Sequence, residues 1–193
     1  VFSFDELEVD GFADNPPDRC YHCKTAILQK VREAAEQVDT VYIAEGSNVD
    51  DDGDYRPGKR AVQEAGVISP LKEAGLTKAE IRQLSKKMGL ATWDKPSFAC
   101  LASRFAYEEP ITAEKLRMVE LAEKFLREHG FSQYRVRMHG SMARVEVLPE
   151  DLERFLDPKL RQDFTGHMKD LGFTYTALDL DGYRTGSMNA TLK

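Results

Sequence analysis

Tyr134-Arg135-Val136-Arg137-Met138-His139-Gly140-Ser141-Met142-Ala143-Arg144-Val145-Glu146-Val147-Leu148 alternates apolar and polar side chains on both sides of a glycine turn. Alternation with period two marks half-buried strands. The stretch therefore predicts a hairpin with strands over 134–139 and 143–148. Tyr134, Val136 and Met138 share an apolar face with Ala143, Val145 and Val147. The opposite face carries Arg135, Arg137 and His139 against Arg144 and Glu146. A four-residue connection sets Arg137 across from Arg144 and Arg135 across from Glu146. Three arginines against one glutamate leave an excess of positive charge, and guanidinium forks match phosphate oxygens. A solvated face with an Arg–Glu cross-strand pair accounts for the same residues equally well.

Helical signals flank the hairpin. Thr112 to about His129 reads as a helix closed by Gly130, with Leu116, Val119 and Leu126 as its seam. Glu123 falls on that seam. A carboxylate there sits at the rim or pairs with an arginine, and the ion pair is the plainer reading. Further helical segments run near 150–156 and 158–171. A last strand, Phe173–Leu180, leads into Asp181-Gly182-Tyr183-Arg184-Thr185-Gly186. Helix, hairpin, helix and strand make a small α+β domain.

Before Trp93 the texture differs. Lys24–Val38 reads as a helix with Ile27, Val31, Ala34 and Val38 on one face. Val41-Tyr42-Ile43-Ala44 is a short apolar strand, followed by a long polar loop to Gly58. Such loops are where α/β sheets place ligand sites. Thr77-Lys78-Ala79-Glu80 is a capping box, opening a helix with Ile81, Leu84 and Met88 inward and Gly89 as its stop. The predicted fold class is α/β: a parallel sheet over residues 1–95, followed by a small α+β domain over 96–193.

A net charge of −6 and a pI near 5.3 argue against a broad nucleic-acid surface, though not against a local basic pocket. No run of 18 apolar residues exists, so no membrane span is expected. The acidic start, Val1-Phe2-Ser3-Phe4-Asp5-Glu6, lacks the pattern of a signal peptide, so a reducing cytoplasm is expected.

There are three cysteines: Cys20 and Cys23 in Cys20-Tyr21-His22-Cys23, and the distant Cys100. An odd count cannot pair fully within the chain, and two zinc knuckles need four. Three thiols suit a metal or iron–sulfur centre with one site open, or a redox pair with a spectator thiol. Cys23 at a helix entrance has its thiolate favoured by the helix dipole. Asp50, Asp51, Asp52 and Asp54 can hold Mg²⁺ through one or two carboxylates, or form a solvated loop. His22 is a candidate ligand inside the cysteine pair; His139 and His167 show no partner in the sequence.

Together these segments resemble the LarE-type ATP-dependent sulfur transferases of the PP-loop ATP pyrophosphatase superfamily. The matching words are Asn15-Pro16-Pro17-Asp18-Arg19-Cys20-Tyr21-His22-Cys23-Lys24, Gly46-Ser47-Asn48-Val49-Asp50-Asp51, Asp54-Tyr55-Arg56-Pro57-Gly58 and Lys95-Pro96-Ser97-Phe98-Ala99-Cys100-Leu101-Ala102-Ser103-Arg104-Phe105. Arg135-Val136-Arg137, Ala143-Arg144-Val145-Glu146 and Gly182-Tyr183-Arg184-Thr185-Gly186 follow in order. The resemblance implies ATP activation of a carboxylate on a pyridinium mononucleotide, then sulfur insertion, towards the nickel-pincer cofactor of lactate racemase. Single-cysteine members of the family give up their own sulfur. Three-cysteine members hold a 4Fe-4S cluster, which here implies Cys20, Cys23 and Cys100 as ligands with one iron left open.

The resemblance also assigns the other residues. Arg135, Arg137 and Arg184 match substrate-phosphate positions. Glu123, Ser103 and Arg104 match active-site positions beside Cys100. Asp50 and Asp51 lie where the family's loop approaches ATP and Mg²⁺. Family members form oligomers, so a homo-oligomer is expected. The first domain becomes the C-terminal part of an incomplete Rossmann-like sheet of the adenine nucleotide alpha hydrolase kind. The family's Ser-Gly-Gly-X-Asp-Ser phosphate loop is missing from this sequence. The chain by itself is therefore expected to bind ATP poorly and to be inactive alone. A tRNA-thiolating PP-loop enzyme and a non-catalytic zinc-binding module are the alternatives, the first disfavoured by the acidic charge balance.

Overall fold

The computed structural model describes residues 3–38, 40, 42–53, 55–95, 99–184 and 186–187. The chain forms two units: Val1–Phe12 with Asp18–Ser97, and Ala13–Pro17 with Phe98–Lys193.

In the first unit, helix α1 spans Arg19–Glu36 and so begins before the predicted Lys24. Pro16 and Pro17 keep the preceding chain out of the helix, and Tyr21 N–H bonds Asp18 O at 2.7 Å to open the first turn. Cys20 and Cys23 consequently lie inside α1, not ahead of it. Leu28 is the buried anchor of α1; it packs with Ala61, Val62 and Val67, joined by Tyr21 and Ile43. The expected apolar face runs on to Val38, but Val38 lies past the helix end and is 71% exposed.

Helix α2, Gly58–Glu64, begins just after Pro57, whose fixed φ suits a helix start. Tyr21 ties it to α1. Its hydroxyl donates to Glu64 at 2.7 Å, and the Arg60 guanidinium stacks 3.5 Å from its ring centre. The predicted strand before the polar loop narrows to a parallel bridge between Ala44 and Ile68, with Tyr42 exposed. Val41 lies outside the described residues. After the short α3, Pro70–Glu73, helix α4 spans Lys78–Lys87 and realises the predicted capping box between Thr77 and Glu80. Gly89 adopts φ +72° at its end. Leu84 and Met88 are exposed, contrary to expectation: α4 buries no residue, and Ile81, Arg82 and Ser85 are its partly covered positions.

In the second unit, Thr112 caps helix α5, Ala113–Glu128, and Gly130 follows it with φ +77°. Strands β1, Tyr134–His139, and β2, Met142–Val147, pair antiparallel with Arg135 opposite Glu146 and Arg137 opposite Arg144, as predicted. The connection is two residues rather than four. Gly140, with φ +58°, takes the first turn position, and the register is unchanged because His139 pairs with Met142. A 3-10 segment, Pro149–Leu156, leads to α6, Pro158–Asp170, capped by Asp157. Strand β3, Tyr175–Leu178, then adds parallel to β2, giving a mixed sheet in the order β1-β2-β3.

The apolar sheet face packs on the helices through Val136, Met138, Val145, Val147, Leu126, Phe164 and Met168, all buried. Asn15, with φ +58°, clasps this unit: its amide donates to Ala106 O at 2.5 Å and Glu109 O at 3.1 Å. The architecture is of the α/β class. No helix among the described residues is long and apolar enough to cross a membrane.

Candidate functional site

Cys100 is exposed at the head of a single 3-10 turn, Leu101–Arg104. Its carbonyl accepts from Ser103 N–H at 3.1 Å and from Ser103 Oγ at 2.8 Å. The turn is fixed from below by Arg104, which is 1% exposed. Arg104 Nε and Nη2 grip the two oxygens of Glu123 on α5 at 2.7 and 2.8 Å. Its Nη1 donates to Ala99 O at 3.0 Å, Cys100 O at 3.1 Å and Ser103 Oγ at 2.9 Å. Glu123 also accepts from Val136 N–H at 3.0 Å. One buried ion pair thus joins the cysteine turn, α5 and β1. Glu123 sits on the helix seam because a partner meets it there, which is the ion-pair reading of the sequence.

The arginine face of the hairpin is a second buried network. Glu146 is fully buried and accepts from Arg137 Nε and Nη2 at 3.1 and 3.0 Å. Ser187 Oγ donates to it at 3.0 Å, and Arg144 Nη2 lies 3.3 Å away. Arg144 pairs in turn with Asp179 at 2.6 Å. The cross-strand pair expected between Arg135 and Glu146 is replaced by the diagonal Arg137–Glu146 pair. Arg137 Nη1 also donates to Ser103 O at 2.7 Å, so this network holds the cysteine turn as well.

Arg135 is buried, bonds Tyr134 O at 2.6 Å and lies 5.0 Å from the Tyr183 ring centre. Burial, and after it the charge of Arg104, holds its pKa below the usual guanidinium value. Arg184 is exposed and pairs with Asp181 of its own loop at 2.9 Å. Thr185 of that loop lies outside the described residues.

Beside Cys100 opens a cleft of about 410 Å³, lined by Cys100, Arg104, Glu123, Lys124, Arg127 and Tyr134 among others. Burial pushes the Tyr134 phenol up, and Arg127 is the charge that most counteracts it. The structure thus brings Cys100, Ser103, Arg104 and Glu123 together. Lys124, Arg127 and Asp179 escape the sequence reading, as does the place of Tyr134 in the cleft. The helical spacing of Glu123, Lys124 and Arg127 is the signal that could have found the first two.

In the first unit, Cys20 and Cys23 stand three residues apart on α1, hence on one side of its opening turns. Cys20 is exposed and Cys23 half-buried, and neither is in a disulfide. Thiols in the first turns of a helix are disposed to ionise, the form that metals bind. That donor chemistry fits an iron–sulfur group. Within either unit taken by itself, no three His, Cys, Asp or Glu side chains among the described residues gather as a metal site. His22 lies 3.5 Å from Asp18 and edge-on to Tyr21.

The acidic loop forms a 3-10 turn, Val49–Gly53. Asp50 accepts from Lys78 N–H at 2.8 Å and so caps α4. Asp51 pairs with Arg56 at 2.7 Å, and Asp52 with Lys72 at 2.6 Å. These carboxylates are engaged by cations and amides of their own unit. Asp54 lies outside the described residues, as do Pro96, Ser97 and Phe98.

No protein-family model matches the chain. It is 41% identical over 187 residues to the uncharacterized protein slr1717 of Synechocystis sp., covering 97% of this chain and 70% of that protein. It is 38% identical over 194 residues to the pyridinium-3,5-bisthiocarboxylic acid mononucleotide synthase of Lactiplantibacillus plantarum, covering 98% of this chain and 68% of the synthase. The chain belongs to the LarE-related family of that synthase. An uncharacterized Methanocaldococcus jannaschii protein, MJ0830, is 29% identical over 93% of this chain and 69% of its own length. The LarE-related likeness spans both structural units, so it covers the cysteine helix as well as the Cys100 turn.

Proposed function

We propose that this chain belongs to an ATP-dependent sulfur transferase that places sulfur on an activated carboxylate of a pyridinium mononucleotide, in nickel-pincer cofactor synthesis. The observation that carries this reading is the 38% identity to the pyridinium-3,5-bisthiocarboxylic acid mononucleotide synthase over 98% of the chain. The exposed Cys100, held on a buried polar frame beside a cleft, supports it.

In this reading the first unit is the C-terminal part of a Rossmann-like ATP-binding sheet. Asp50 and Asp51 lie on its nucleotide and Mg²⁺ side. Cys20, Cys23 and Cys100 would hold a 4Fe-4S cluster, which would supply transferable sulfide. Arg104 and Glu123 fix where the Cys100 backbone stands, and Arg137 braces Ser103 next to it. Arg137 is therefore a positioning residue, its guanidinium being committed to Glu146. Arg184, exposed in its loop, and Arg135 beside Tyr183 are the phosphate-facing candidates. An acyl phosphate anhydride is a good electrophile for a sulfur nucleophile, so the chemistry asks the protein chiefly for orientation.

Anaerobic reconstitution with iron and sulfide tests this. A brown protein with about four irons per chain is expected, together with loss of iron in Cys20→Ser, Cys23→Ser and Cys100→Ser. Colourless protein with stoichiometric zinc would sink the cluster and favour a structural metal module. Sulfur incorporation into a pre-formed acyl adenylate of a pyridinium mononucleotide, followed by mass spectrometry, tests the transfer step without requiring this chain to bind ATP.

A further inference from the structure

Two of the arginines nearest Cys100 have their charge matched by a buried carboxylate: Arg104 by Glu123 and Arg137 by Glu146. Within the cleft beside Cys100, the cations not balanced in this way are Lys124 and Arg127, both exposed on α5. Glu120, Glu123, Lys124 and Arg127 fall on one side of that helix by their spacing, and all four line the cleft. Glu123 is cancelled by Arg104. Glu120 offsets one of the two cations, so the cleft keeps a net positive charge. Lys124 Nζ lies 3.6 Å from the exposed Glu128, a surface contact too weak to withdraw it from a ligand. Tyr134 adds an aromatic wall, and about 410 Å³ suits a small molecule.

We infer that this cleft is an oxyanion-binding subsite in which Lys124 and Arg127 hold a phosphate or carboxylate of a small molecule against the Cys100 turn. The identity of the ligand class rests on the sulfur-transfer reading; the site itself rests on the cleft and its charges. Lys124 and Arg127 are then specificity-determining residues, set apart from the buried arginines of the hairpin.

Peptide-resolved alkylation of Cys100 in the reduced protein tests the assignment without any turnover. Iodoacetate and iodoacetamide differ chiefly in charge. Two nearby cations favour the anionic reagent by roughly fivefold at low salt, an advantage that fades at high ionic strength. Lys124→Gln with Arg127→Gln should lower the iodoacetate-to-iodoacetamide ratio by about that factor, and Glu120→Gln should raise it. Nicotinate mononucleotide should protect Cys100 in the wild type and fail to protect it in the double variant. Inorganic phosphate and nicotinate as parallel probes show which oxyanion is held. An unchanged ratio in all variants, or no protection by any of the three probes, overturns the subsite. A protein that discriminates here yet transfers no sulfur to a pre-formed acyl adenylate overturns the functional reading alone.

Discussion

The guanidinium of Arg104 holds Glu123 with two hydrogen bonds of 2.7 and 2.8 Å while its third nitrogen holds the carbonyls of Ala99 and Cys100. The pair is almost fully buried, so each charge depends on the other. Removing one member of a buried pair costs about 3–5 kcal/mol, mainly by stranding its partner. Arg104→Ala should therefore lower the urea unfolding free energy of the second unit by about that amount. Arg104→Lys should recover part of the stability and little of the Cys100 presentation, because an ammonium cannot reproduce the fork. Alkylation rates at Cys100 read the second effect separately from the first.

The Arg137–Glu146 pair makes a different prediction. Glu146 is fully buried, with Arg137, Arg144 and Ser187 around it. Arg137→Met should destabilise strongly, because Glu146 loses a bidentate partner. The double variant Arg137→Met with Glu146→Leu should be less destabilised than Arg137→Met alone, since apolar residues of similar volume commonly replace buried pairs at little cost. A positive coupling energy in the double-mutant cycle is the expected outcome. Additive losses would show that the arginine acts through Ser103 O alone.

The hairpin shows what the sequence could and could not disclose. Its two faces followed from alternation, because a one-residue slip would turn every apolar side chain to the wrong face, and its register from a short connection between the strands. The helix seam of α5 and the Thr77 capping box were legible for the same local reason. The fate of the arginine face was not. Asp179 reaches Arg144 from beyond β3, and Ser187 reaches Glu146 from further still. No periodicity carries such contacts. The exposed Leu84 and Met88 mark the same limit, since a helix pattern does not say which side the rest of the unit will cover.

His139 offers a test by pH. Burial, and next the charge of Arg144, lowers its pKa from the ordinary 6.5; Arg137 acts in the same sense, while Glu109 and Glu146 oppose it. A lowered histidine pKa means that the fold prefers the neutral ring. Above about pH 6.5 the ring is neutral in both states and the preference is fully satisfied. As pH falls below that value the unfolded chain takes up the proton first, so stability drops. His139→Gln should flatten the decline between pH 6.5 and 5 relative to the wild type, by at most one proton's worth of slope. Equal slopes in urea titrations across that window would show that His139 does not contribute to the decline.

Gly182 bears directly on the arginine site. Its φ of +69° is one that side chains disfavour, and an added Cβ would sit 2.9 Å from Val147 O. Val147 O is also the acceptor for Tyr183 N–H at 2.7 Å. The tight turn therefore sets where the Tyr183 ring stands against Arg135. Gly182→Ala should cost about 2 kcal/mol or more, from the backbone penalty together with the contact on a carbonyl that cannot move freely. It should also shift the Tyr183 ring from Arg135 while leaving the Arg104–Glu123 frame in place. Thermal unfolding reads the first effect. Near-ultraviolet circular dichroism of Tyr183, compared with a Tyr183→Phe control, reads the second. A stable Gly182→Ala variant with an unchanged tyrosine signal would mean that the turn can relax, and that Arg135 is not positioned through it.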